Sequence, residues 1–250
     1  MGTGNCADVI DFRRSVRDLS GEVPEEVVRD LLRAGARAPS PHNTQPWRFV
    51  VLGQSSKSRL AAVLYERYVA KFGDEPGAEE RASRLRARIE AAPLVLLLCL
   101  DRSRIRTGGG REHIEWVMAT QSLAAAAENI WLAAVSRGFD AAWIAAPLAV
   151  GEAIRDALGM NGSLEPQILM LLGRRSIDPM PKSELGWRDL TTFLERSPAD
   201  ERPCELTSAE TPYSEEALDL WDAPRERVVY IPPQSCGGRI PSRDRGQPKG

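Results

Sequence analysis

The sequence predicts an α+β fold. Three observations carry this: short, nearly continuous apolar runs at 47–52, 94–100 and 166–172; longer stretches between them with apolar residues at helical spacing; and a change of composition near residue 197. The first two describe one domain, 1–196. The third marks an irregular C-terminal extension, 197–250, rich in Pro, Ser, Glu, Arg and Gly and expected to be partly disordered. A chain of 250 residues has room for a sizeable core without staples.

Pro24 is placed to open a helix whose Val27, Val28, Leu31, Leu32 and Ala36 share a face, and Pro39 ends it. Residues 39–46 hold three prolines in eight positions and read as a loop. A strand follows at 47–52 (WRFVVL), then a helix at 55–72 with Leu60, Val63, Leu64 and Tyr68 on one side. The polar, Arg-rich stretch 77–92 is a helix stopped by Pro93, its 79–90 portion a solvated face. Residues 94–100 are a buried strand and 107–111 a Gly-rich loop. A long helix spans 112–137 and ends at Gly138; its small residues Ala119 and 124–127 would let another backbone or a flat ligand come close. A short strand at 141–145, a helix from Pro147 to 158 closed by Gly159, an apolar strand at 166–172 and a short helix at 188–195 complete the domain.

Composition excludes several functions. Thirty-three basic against 35 acidic residues give a net charge of −2, without the basic excess of a general nucleic-acid binder. Cys6, Cys99, Cys204 and Cys236 form no CxxC pair, and with only two histidines a His/Cys zinc site is not expected. Reduced thiols point to the cytoplasm, and Cys99, in an apolar strand, reads as inert core. The run 94–100 falls far short of the roughly 18–20 residues of a membrane span, and residues 1–10 lack the basic head and apolar stretch of a secretory leader.

Two segments carry candidate chemistry. In RRSVR at 13–17, alternate side chains of an extended segment share a face, so Arg13, Ser15 and Arg17 could meet one phosphate with two guanidinium forks and a hydroxyl. A solvated basic segment is the alternative. In APSPHNTQPW at 38–47, prolines stiffen a loop rich in amide and hydroxyl groups. Such a loop suits the edge of a flavin ring, whose N3 donates and whose O2 and O4 accept, or it simply caps a helix, with Trp47 in the core. Gly108, Gly109 and Gly110 precede a helix but lack the Lys-Ser/Thr of a P-loop and the strand–GxGxxG order of a dinucleotide fold, so they read as a flexible loop or a lid. His42 and His113 are local hydrogen-bonders or substrate donors, and Trp131 and Trp143 read as core.

Taken together, RRSVR, APSPHNTQPWRF, the Ala91-Ala92-Pro93 strand entry, Arg111-Glu112-His113, the run from Gly138 through Asp140 to Ile144, Leu171-Leu172-Gly173 and Trp187-Arg188-Asp189 resemble the nitroreductase superfamily of FMN enzymes. Within it the chain looks most like the C-terminal flavin domain of the bifunctional γ-glutamyl ligase and dehydro-precursor reductase that matures the 5-deazaflavin coenzyme. The likeness covers roughly 10–192.

The resemblance implies a mainly antiparallel central sheet flanked by helices, and an entwined homodimer with active sites at the interface. It implies FMN as cofactor, with Arg13, Arg14, Ser15 and Arg17 at the phosphate and ribityl chain and Ser40 touching the flavin, often across the subunit boundary. Ala145 matches a position, commonly Gly, whose backbone lies against the ring, and its methyl group is a departure; Arg188 matches a late basic residue that closes on the phosphate. His42, Asn43 and His113 are the candidate substrate contacts. The implied reaction is hydride transfer from reduced nicotinamide or reduced deazaflavin to a conjugated or nitro-bearing acceptor, the flavin N5 carrying the chemistry without a catalytic side chain. Alternatives are an oxygen-dependent, flavin-fragmenting enzyme that makes 5,6-dimethylbenzimidazole, a non-catalytic flavin-binding module, and a scaffold for a partner protein. In the tail, 213–221 (YSEEALDLW) has helical spacing and would dock on a partner subunit or stay loose.

Overall fold

The structure, a computed structural model, describes residues 6–176 and 185–191. The chain divides into two units, Met1–Met180 and Pro181–Gly250. Of the second, only the short stretch 185–191 is described, so Cys204, Cys236 and the 213–221 segment lie outside the described residues.

In the first unit, helix α1 (Cys6–Phe12) leads through an extended segment to a two-residue strand β1 (Leu19–Ser20). Neither was expected. α1 is seven residues long and leaves Ile10 and Phe12 exposed, so it carries no buried stripe to read. Helix α2 (Glu25–Gly35) follows Pro24 and buries Val27, Leu31 and Gly35, spaced four apart; Glu25 and Glu26 sit in its first turn and Arg33 in its last, complementing the helix dipole. Strand β2 (Trp47–Val51) precedes α3 (Gln54–Phe72), which buries Leu60, Ala61, Leu64 and Tyr68. Tyr68 is a packing residue, its hydroxyl accepting from Arg81 Nε at 2.9 Å.

Helix α4 (Ala78–Ala91) corrects the reading of 79–90 as wholly solvated. Arg84–Glu80 and Arg86–Glu90 pair on the exposed side, but Ala78, Ala82, Leu85 and Ile89 form a buried stripe along the contact with α3. The charges dominate the composition and hide a narrow apolar seam.

Strand β3 (Leu94–Asp101) is buried at every position. It pairs antiparallel with β2 and with β5 (Leu164–Arg175), which also pairs antiparallel with β4 (Asp140–Ile144) and β1. Burial on both faces explains the continuous apolar runs. Leu94, Leu96, Leu98 and Leu100 enter one core with α2 and α5 (Glu112–Ser136), while the alternate residues Val95, Leu97 and Cys99 point to the other face. There α6 (Pro147–Leu158) packs on β5 and α3.

β5 starts two residues earlier and runs further than the expected 166–172. A register shift opposite Leu98 and Cys99 leaves Gln167 as an extra residue in β5, next to Pro166, which has no N–H to give a ladder. The expected strand 141–145 ends at Ile144, and Ala145 opens the turn into α6.

In the second unit, the expected helix at 188–195 is instead a turn where it is described. Bonds of the i→i−3 kind run from Asp189 N to Gly186 O, Leu190 N to Trp187 O and Thr191 N to Arg188 O, and Asp189 Oδ2 accepts from Gly186 N at 3.0 Å. That carboxylate bond to a backbone N–H favours the turn over a continuing helix.

Candidate active site

Within 13–17, Arg13 N still closes the last turn of α1 on Val9 O and Ile10 O, and the backbone at Ser15 and Val16 is pinned to β4. Val16 N donates to Ala141 O at 3.0 Å, and Ser15 forms a parallel bridge with Ala141. Alternation then sorts the side chains. Val16 is buried in the core, while Ser15 and Arg17 are exposed on the other side, as the sequence predicts. Arg17 has no polar partner among the described residues. Arg14 is half-buried and donates through Nη1 to the carbonyls of Asp11 at 3.2 Å and Arg13 at 2.9 Å.

Arg13 is held differently. Its Nε lies 3.2 Å from Glu128 Oε1, and its guanidinium stacks over the Trp131 ring, 4.8 Å from the centroid. Both partners belong to α5. The sequence places Trp131 in the core, as observed, but sequence reasoning missed Glu128, one i, i+3 step before it on a helix that meets α1. Trp131 Nε1 is a buried donor without a hydrogen-bond partner among the described residues. The exposed Ser15 hydroxyl and Arg17 guanidinium are donors of the kind a phosphate dianion accepts.

Ala145 is exposed and its carbonyl accepts from Leu148 N at 3.0 Å. It stands four residues beyond Ala141, just past the end of β4, so the strand that anchors Ser15 also leads into the Ala145 turn. Arg188, in the second unit, stacks over Trp187 at 4.7 Å.

The proline-rich loop is a strained, internally bonded turn. Ser40 Oγ accepts from Gln45 N at 3.0 Å, Asn43 N donates to Ser40 O, and Gln45 Nε2 donates to Asn43 Oδ1 at 3.1 Å. His42, Asn43 and Gln45 all take left-handed backbone angles, with φ of 51°, 54° and 48°. Such angles cost about 1–3 kcal/mol each in a non-glycine residue and persist where the surroundings enforce them. Here the enforcement comes from below: Arg104 Nε donates to Thr44 O at 2.8 Å and Asp101 N to Pro46 O at 2.7 Å.

Asp101 anchors that support. It is buried, accepts from Ser103 N and Oγ, and pairs with Arg48 at 2.9 Å. Burial pushes its carboxyl pKa up, but the Ser103 hydrogen bonds and the Arg48 charge outweigh this and hold it below the usual value.

The loop faces the start of α5. His42 Nε2 lies 3.9 Å from Oε1 of Glu115, a buried acid that sequence reasoning also missed. Its signal was legible: Glu115 occupies the buried stripe continued by Ala119, Ser122, Leu123 and Ala126. His113 is exposed on the same turn, and the structure does not bring it to His42 through a polar contact. In the preceding loop, Gly108, Gly109 and Gly110 all have positive φ, and Glu112 Oε1 accepts from Gly108 N at 2.8 Å. Backbone N–H groups, chiefly its own and that of Gly108, hold the Glu112 carboxyl below its ordinary pKa. A shallow cleft of about 320 Å³ between α2 and the end of α5, lined by Asp30, Arg33, Arg37 and Arg137, shares no residue with either segment.

Comparison with known proteins places this geometry. A model of the Nitroreductase family matches residues 10–174. The chain belongs to the nitroreductase family. The match opens just before Arg13 and closes just after Gly173, so it takes in the guanidinium segment, the strained loop and the whole sheet except the last residue of β5. Among relatives, this family member is 28% identical over 156 residues to YdjA of Escherichia coli (strain K12), a candidate NAD(P)H nitroreductase, covering 62% of this chain and 80% of that one. It is 26% identical over 186 residues to a 5,6-dimethylbenzimidazole synthase of Rhodospirillum rubrum, covering 72% and 87%. Its fold matches that of a candidate nitroreductase of Desulfovibrio desulfuricans crystallised with FMN: TM-score 0.61, 22% identity, 78% of this chain and 100% of that one.

Proposed function

We propose that this nitroreductase-family chain is an FMN-dependent oxidoreductase, transferring a hydride from a reduced nicotinamide or reduced deazaflavin to a conjugated or nitro-bearing acceptor. The observation that carries the reading is the pinning of Ser15 and Val16 to β4, which leaves Ser15 and Arg17 exposed in the same short segment as Arg13. FMN, when bound, supplies the hydride chemistry at its N5. Arg13, Arg14, Ser15 and Arg17 would hold its phosphate and ribityl chain, and the Ala145 turn would line its ring. The Ser40 loop, stiffened by its own hydrogen bonds, would meet the flavin with little reorganisation, and His42, Asn43 and His113 would be the acceptor contacts.

A homodimer is part of the proposal. Ile114 and Val117 are apolar, exposed and adjacent on α5, and a second copy covering them would bring its own loop to the site. The deazaflavin-maturation substrate rests on the resemblance of the motifs. The flavin-fragmenting reading has its own support in the similarity to the dimethylbenzimidazole synthase.

The test is an FMN titration followed by flavin fluorescence. Arg17→Ala removes one charge-assisted contact, about 1.5–3 kcal/mol, and should weaken FMN by tenfold to a hundredfold. Bleaching of the flavin by NADH, NADPH or reduced deazaflavin then identifies the donor. Oxygen uptake with formation of dimethylbenzimidazole would select the second reading. Protein that binds no FMN at all would end both.

A further inference from the structure

Arg13 has its guanidinium plane fixed by two side chains of α5. Glu128 pairs with it at Nε, 3.2 Å away, and Trp131 lies under its face at 4.8 Å. Its two terminal nitrogens make no hydrogen bond to a protein group among the described residues. An ion pair at one edge and a ring beneath leave a guanidinium little freedom, and the edge left over is the forked one that matches two phosphate oxygens. Arg13 is also only about one-third exposed, so it begins partly stripped of water. Arg17, by contrast, is exposed without a polar partner among the described residues and must be ordered by its ligand.

We propose that Glu128 and Trp131 are positioning residues for Arg13, presenting its terminal nitrogens to the phosphate of the flavin nucleotide and so setting the preference for FMN over unphosphorylated riboflavin. The inference rests on the FMN reading above and deepens it. Glu128 also repels a phosphate, but its side chain is 43% exposed, so the repulsion acts through solvent of high dielectric. The ordering of Arg13 acts at contact and prevails.

The experiment measures affinities of the full chain for FMN and for riboflavin at physiological salt, for wild type, Glu128→Gln, Glu128→Asp, Trp131→Phe, Arg13→Ala and Arg17→Ala. The expected result is a wild-type preference for FMN that falls at least fivefold in Glu128→Gln through weaker FMN binding. Riboflavin affinity and thermal unfolding should not change, and Glu128→Asp should restore part of the loss. Trp131→Phe should act in the same direction and more weakly, since phenyl is the poorer partner for a cation.

Equal loss of both ligands in Glu128→Gln would show a structural role and overturn the proposal. Tighter FMN binding in that variant would make Glu128 a competitor of the phosphate and overturn it as well. A preference abolished by Arg13→Ala but untouched by Glu128→Gln would overturn the positioning role alone. A wild type with no preference, unaffected by Arg13→Ala or Arg17→Ala, would remove the FMN reading with it.

Discussion

Arg175 grips Asp140 through two parallel hydrogen bonds, Nε to Oδ2 at 2.9 Å and Nη2 to Oδ1 at 2.7 Å, where β4 begins. Asp140 is buried with Arg175 as its ion-pair partner, and the next residue is the Ala141 that pins Ser15 and Val16. Arg175→Met should cost about 3 kcal/mol, the price of a buried carboxylate left alone. Adding Asp140→Asn should recover part of it. Urea unfolding midpoints of the two variants check this, and a single variant as stable as wild type contradicts it.

Gly35 lies at a tight contact between α2 and α5. A Cβ there would come within 2.9 Å of Ile130 Cδ1 and 3.0 Å of Phe49 Cζ, both in the core. Gly35→Ala gains about 0.5–1 kcal/mol of helix propensity, but overpacking a tight core costs about 1–3 kcal/mol. A net loss of stability is expected, read by thermal unfolding. Stabilisation would mean that Ile130 swings aside freely.

Asp101 makes stability fall in acid. Its pKa is depressed in the fold, so its contribution is fully present above the unfolded value, about 3.9, and is lost as pH falls through the folded one. Wild type should therefore lose stability below about pH 4 more steeply than Asp101→Asn. Parallel acid-unfolding curves would show that Asp101 is not a source of the slope.

Gln45 is held at a φ of 48° with its side chain exposed. Gln45→Gly keeps the backbone bond to Ser40 Oγ and relieves the left-handed strain, against the extra chain entropy of glycine. A gain of about 1 kcal/mol is expected in denaturant unfolding. No gain would show that the turn is unstrained at this residue.

The sheet was legible because two-sided burial writes itself as apolar runs, and α5 because a 25-residue helix repeats its stripe many times. The outward face of 13–17 was legible too, since a period of two needs only a pinned backbone. Other features leave fainter marks. α1 exposes its apolar residues, β1 is two residues long, and the seam of α4 is masked by its arginines and glutamates. Glu128, and the stacking of Arg13 on the core residue Trp131, escaped notice because they depend on Arg13, more than a hundred positions away in the chain. The left-handed angles of His42 and Gln45 could not be read from residue type, because the enforcing groups, Arg104 and Asp101, lie in another segment.

β5 is the last strand of its unit, yet it is the antiparallel partner of β1, β3 and β4. During synthesis, β3 therefore waits on the ribosome with one apolar edge bare until residues near 175 have left the exit tunnel. The nascent chain in that interval is the form in which chaperones have most to hold and neighbouring polysomes most to stick to.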